Sequence, residues 1–134
     1  MANVGFTGTR KGMSPLQEAL LIGILESEDF TEYHHGDCVG ADRQFHDLVV
    51  RKHPKIAYEL IFIHPPDNPR YRAFCKGTIL PEKPYLERNK DIVDSCNLLI
   101  ATPHIDDEIN KQRSGTWSTI RYAKKQKKDI IIIL

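Results

Sequence analysis

Three short segments of this chain carry residues suited to holding an anion. Gly8-Thr9-Arg10 joins a glycine that lets backbone approach a ligand to a hydroxyl and a planar guanidinium fork for phosphate. Arg113-Ser114-Gly115-Thr116 sets a glycine and two hydroxyls where a helix is expected to begin. Free N–H groups and the helix dipole favour a phosphate there. Gly36-Asp37-Cys38-Val39-Gly40-Ala41-Asp42 adds two glycines and two carboxylates, of which Asp42 suits the first turn of a helix. The spacing is neither G-x-G-x-x-G nor G-x-x-x-x-G-K-[ST], so no dinucleotide fingerprint or P-loop is present. No one segment is diagnostic; what matters is whether the fold makes them converge.

Metal chemistry has ligand types but poor spacing. His34-His35-x-Asp37, His64 and His104-x-Asp106-Asp107-Glu108 are available, yet adjacent His34 and His35 point to opposite faces of a strand. The acidic triplet lacks EF-hand spacing, so no metal or other cofactor is expected. Charge excludes other classes. Lys plus Arg is 19 and Asp plus Glu is 18, and a net charge of +1 leaves no footprint for nucleic acid. The lysines between Lys124 and Lys128 fit the C-terminal end of a helix dipole. No apolar run approaches the ~20 residues of a membrane span, and Met1-Ala2-Asn3-Val4-Gly5 lacks the basic and apolar regions of a signal peptide. Cys38, Cys75 and Cys96 are widely spaced and odd in number, which reads as reduced thiols in a cytoplasmic protein.

The elements that must position these segments alternate along all 134 residues, a length that fits one domain. Strands are expected at Val4–Thr7, Thr31–His35, Tyr58–Ile63, Leu98–Ala101 and Ile130–Leu134. Helices are expected from Ser14-Pro15, with a capping box closed by Gln17, over Ala41–Lys52, from Pro84 to Cys96 and over Thr116–Lys128. Leu16, Leu20 and Ile24, with Leu21 and Leu25, form the expected buried stripe of the first helix. Near-continuous apolar strands call for helices on both sheet faces. The prediction is therefore an α/β fold, a three-layer Rossmann-like open parallel sheet of about five strands in the order 3-2-1-4-5. The three segments then meet at the switch point between the first and fourth strands. From His64 to Lys83 the chain is proline-rich and aperiodic. A connection of this length is often a binding loop, and Arg70, Tyr71 and Arg72 lie in it.

The ordered set Gly8-Thr9-Arg10, His35-Gly36-Asp37-Cys38-Val39-Gly40-Ala41-Asp42, Arg88-Asn89 and Arg113-Ser114-Gly115-Thr116 resembles the SLOG superfamily, in particular its small stand-alone branch. The resemblance runs from Gly5 to the C-terminus and implies a Rossmann-like domain that binds nucleotides or nucleotide-derived signals. It makes Gly115 and Thr116 the phosphate-binding pair and Arg88 the arginine that reaches the sugar-phosphate from the preceding helix. Two departures matter. The Pro-Gly-Gly of the LOG phosphoribohydrolases is replaced by a polar insert, Asp106 to Ser114, and their catalytic glutamate falls on Thr119, which cannot act as a carboxylate. The expectation is a ligand that is bound and not consumed, by a nucleotide sensor or sequestering protein. The alternative is a nucleoside 5'-monophosphate N-glycosidase with Asp37 or Asp42 in place of the glutamate. Two open sheet edges make a homo-oligomer the expected assembly.

Overall fold

The computed structural model describes residues 2–108 and 114–134. The strands are β1 (Asn3–Gly8), β2 (Glu32–His35), β3 (Ile61–Ile63), β4 (Thr78–Ile79), β5 (Leu98–Thr102) and β6 (Asp129–Ile132). The helices are α1 (Pro15–Ser27), α2 (Ala41–Lys52), α3 (Ala57–Leu60), α4 (Tyr85–Asp94) and α5 (Gly115–Lys125). All neighbouring strands are parallel and form one open sheet in the order β4-β3-β2-β1-β5-β6. The expected five-strand order is present, extended at one edge by β4. That strand is two exposed residues, too short to leave a periodic signal.

Side chains alternate strictly across the sheet. Val4, Phe6, Tyr33, Ile61, Ile63 and Ile100 face α1 and α2, with Phe6 stacked on Phe45 of α2 at 4.6 Å between ring centroids. Leu99 and Ala101 face α4 and α5 and meet Val93, Cys96, Ala123, Trp117 and Ile120. This is the three-layer arrangement that buried parallel strands require.

Two local expectations are corrected. The buried face of α1 is Gln17, Leu21 and Leu25, while Leu16 and Leu20 are 63% and 50% exposed. The capping box forms, with the Ser14 hydroxyl accepting from the Gln17 amide at 3.1 Å. The Gln17 side chain then donates to the carbonyls of Pro103 and Ile133, both at 2.8 Å. That anchorage sets the rotation of the helix and turns the Leu16–Leu20 row outward. The segment Tyr58–Ile63 splits: Ala57–Leu60 is a helical turn, with Ala57 N–H donating to the His53 carbonyl, and only Ile61–Ile63 pairs in the sheet. A short apolar run does not distinguish these states by itself.

Candidate functional site

A cavity of about 810 Å³ opens at the carboxyl end of β1, where β2 lies on one side and β5 on the other. Its walls include Gly8, Thr9 and Arg10, then Asp42, then Arg88 and Asn89, then Ser114, Gly115 and Thr116. Gly36, Asp37 and Gly40 do not line it, and Arg113 lies outside the described residues. The loops meet because small residues let the backbones close up. A Cβ on Gly8 would lie 2.5 Å from that of Ala41 at the start of α2. Gly40 has φ of +90°, and a Cβ there would lie 2.3 Å from the Arg10 carbonyl oxygen. Only glycine fits both demands.

Where α5 begins, the polar groups of the cavity wall are only partly matched within the protein. Ser114 caps α5 by accepting from the Trp117 amide at 3.2 Å and donates to Asp107 at 3.3 Å. The amides of Gly115 and Thr116 have no partner among the described residues. Thr9 also lines the cavity, and its buried hydroxyl is likewise without a hydrogen-bond partner among the described residues. A buried, unmatched hydroxyl costs free energy until something pairs with it.

The three cations of the cavity differ. Lys11 pairs with Asp106 at 3.6 Å. Arg88 is 6% exposed and commits four of its five N–H groups. It donates to the Gly36 carbonyl, to the His64 carbonyl at 3.1 Å, to the Cys38 sulfur at 3.1 Å and to Asn89 Oδ1 at 2.6 Å. Its position also requires Gly36, since a Cβ there would lie 2.5 Å from Nη1. Its fifth N–H has no partner among the described residues, nor does the amide NH₂ of Asn89, whose Oδ1 is the atom bonded to Arg88. Arg10 has no ion pair or hydrogen bond from its side chain among the described residues; its guanidinium lies over the Tyr71 ring at 4.2 Å.

The two carboxylates of the second segment have separate roles. Asp37, fully buried and left-handed at φ 57°, accepts from Arg72 Nε and from the Cys75 amide, both at 2.9 Å. It anchors the long connection and does not line the cavity. Asp42 is 6% exposed, lines the cavity and accepts from the Cys38 amide at 3.1 Å. Burial pushes its pKa up to about 6, against the lowering effect of the Arg88 charge. Burial likewise raises the Cys38 thiol. Thr119 is buried, and its hydroxyl donates to the Gly115 carbonyl at 2.9 Å, outside the cavity lining.

Four of the six histidines form two clusters on opposite faces of β2. His35, His46 and Cys75 place ligand atoms within 4.8 Å of one another. The Asp37 amide donates to His35 Nδ1 at 2.9 Å, however, so the proton of this neutral ring sits on Nε2 and points at His46 Nδ1, 3.0 Å away. A metal on Nε2 would have to displace that proton. Burial also pushes the Cys75 thiol up to about 12. On the other face, the Glu32 carboxylate accepts from His34, whose Nδ1 meets His64 Nε2 at 2.8 Å. Burial lowers both histidines, His64 to about 4.

Cys38 of the second segment also lines the cavity, as do Asp67, Asn68, Tyr71 and Tyr85, which lie outside the motifs. A usable signal existed for the loop residues: Asn68-Pro69 is a helix-start pair, and the Asn68 side chain does cap the short turn Pro69–Tyr71.

No protein-family model and no curated protein matches the chain. Among solved structures, the chain is similar to the molybdenum cofactor binding protein from the phototrophic bacterium Rippkaea orientalis. The TM-score is 0.67 at 19% sequence identity, over 97% of this chain and 74% of that one. At that identity the likeness is one of fold: an open, all-parallel α/β sheet of Rossmann type.

Proposed function

We propose that this chain binds a nucleotide or nucleotide-derived signalling molecule in the cavity at the end of β1, as a sensor or sequestering protein of SLOG type. The observation that carries the reading is that Gly115, Thr116, Thr9 and Arg10 all line the cavity, the first two with amides and the others with side-chain donors that have no hydrogen-bond partner among the described residues. Preformed donors and a helix N-terminus suit a phosphate. The volume leaves room for the rest of a nucleotide, since pockets of roughly 300–1,000 Å³ hold ligands of that size. Asp42, the carboxylate of the second segment that lines the cavity, is the group we assign to a ribose hydroxyl. Retention is favoured over turnover because the LOG glutamate position, Thr119, is bonded inside α5.

A second reading, N-glycosidic hydrolysis, rests on Asp42 alone. It is a cavity carboxylate with a pKa of about 6, whereas Asp37 is committed to Arg72 and Cys75. A third ligand class, the molybdenum cofactor named for the fold neighbour, belongs in the same experiment.

The test is denaturation of the purified protein and mass spectrometry of released small molecules. Calorimetric titration with AMP, NAD, ADP-ribose and cyclic derivatives would follow. Intact nucleotide in the released fraction is the expected result. Arg10→Ala should weaken binding by about 1.5–3 kcal/mol while the protein stays folded. Unchanged affinity in that variant removes the phosphate assignment. Free base released by the wild type and abolished by Asp42→Asn makes the protein a hydrolase.

A further inference from the structure

We infer that Tyr71, delivered by the long β3–β4 connection, is the positioning residue that presents Arg10 to the ligand. This rests on the nucleotide reading of the cavity. Of the three cations on the cavity wall, Arg10 is the one whose N–H groups are all free among the described residues. A free arginine on a surface loop samples many rotamers, and ordering it on binding costs affinity. Here the guanidinium already lies over the Tyr71 ring at 4.2 Å. A guanidinium held over a ring by its face leaves its edge, which carries every N–H, available for a phosphate.

Tyr71 can serve this way because its backbone is docked on the Cys38–Val39 segment. Its carbonyl accepts from the Val39 amide at 3.1 Å, and Arg72 pairs with Cys38 as an antiparallel bridge. One residue on, Arg72 Nε reaches Asp37 at 2.9 Å and the Ala73 amide reaches the Asp37 carbonyl at 2.7 Å. Arg10 is fixed from its own side, where the Thr9 carbonyl accepts from the Gly12 and Ala41 amides at 3.1 and 3.0 Å. Asp37, which does not touch the cavity, thus acts on it through Tyr71. The long connection is a docked arm that completes the anion site.

The test is a double-mutant cycle, read by calorimetry with AMP and with ADP-ribose, on wild type, Tyr71→Phe, Tyr71→Leu, Arg10→Ala and Tyr71→Leu with Arg10→Ala. Circular dichroism checks that each variant is folded. Tyr71→Leu should weaken binding about 2- to 10-fold and Tyr71→Phe should not, because the ring face is retained. In the Arg10→Ala background the leucine should cost nothing more, since the residue it positions is gone. Additive losses would mean that Tyr71 contacts the ligand itself, and unchanged affinity in Tyr71→Leu would mean that it does neither; each overturns the inference. A ligand-free readout separates this from the parent reading. The Arg10 Nε–H resonance should be shifted upfield by the ring current in wild type and Tyr71→Phe but not in Tyr71→Leu. That shift without binding of either probe fails the nucleotide reading while the pair stands; no shift fails the pair.

Discussion

Replacing Asp42 with asparagine should make the protein more stable at neutral pH. Asp42 sits in the first turn of α2, 6% exposed, with its Oδ2 accepting from the Cys38 amide at 3.1 Å. Burial raises its pKa from 3.8 to about 6, and the nearby Arg88 charge only partly offsets this. The folded state therefore holds a proton more tightly than the unfolded chain does. Between those two values the folded state binds more protons, so the contribution of this group to stability falls as pH rises through that window and is then constant. A rise from 3.8 to about 6 amounts to about 3 kcal/mol of penalty for the ionised form at pH 7. Asparagine keeps an oxygen for the Cys38 amide and carries no charge. Urea unfolding of wild type and Asp42→Asn, at steps from about pH 3.5 to about pH 7.5, gives the difference directly. It should be near zero at the acid end, grow as pH rises and level off above about pH 6.5 at about 3 kcal/mol in favour of the variant. A variant less stable than wild type at pH 7 would show that Arg88 stabilises the carboxylate more than burial destabilises it, and a difference that does not change with pH would show that the two cancel; either refutes the reasoning.

Gly40→Ala should lose about 3 kcal/mol of stability by chemical denaturation, because alanine would adopt φ of +90° with its Cβ 2.3 Å from the Arg10 carbonyl oxygen; a loss under about 0.5 kcal/mol means the turn rearranges freely. Asp37→Ala should cost about 3–5 kcal/mol, since Arg72 then loses its buried partner, and limited proteolysis should cut first between residues 64 and 83. Protection of that stretch equal to wild type would count against the anchoring role. Two open sheet edges, β4 and β6, lead us to expect self-association; light scattering that returns a mass near 15.4 kDa at micromolar concentration refutes it.

The sequence alone determined the alternation of elements, because their signals are local. Ser14 and Gln17 cap α1 within three residues, Ala41–Lys52 forms α2 over the span its periodicity marks, and the apolar run at Leu98 makes a central strand. Right-handed crossovers between parallel strands then leave few topologies, so the order of the five main strands and the convergence of three loops followed. The turn Ala57–Leu60, the two-residue β4 and the rotation of α1 did not follow. In each, a bond from elsewhere in the chain or an edge position outweighs a weak local preference.

The same limit divided the site. Gly8, Thr9, Arg10, Ser114, Gly115 and Thr116 are legible because backbone approach and helix capping are encoded where they act. Which polar groups remain free is a property of contacts between distant segments. Arg88 and Asn89 share a motif, yet Arg88 turns most of its donors to Gly36, Cys38 and His64, 52, 50 and 24 residues away, and Asn89 keeps its amide. Asp37 and Asp42 share a loop, yet the left-handed backbone at Asp37 turns one carboxylate toward Arg72 while the first turn of α2 turns the other into the cavity. Residue type sets what a side chain can do; only the tertiary arrangement decides which of its hydrogen bonds are already made.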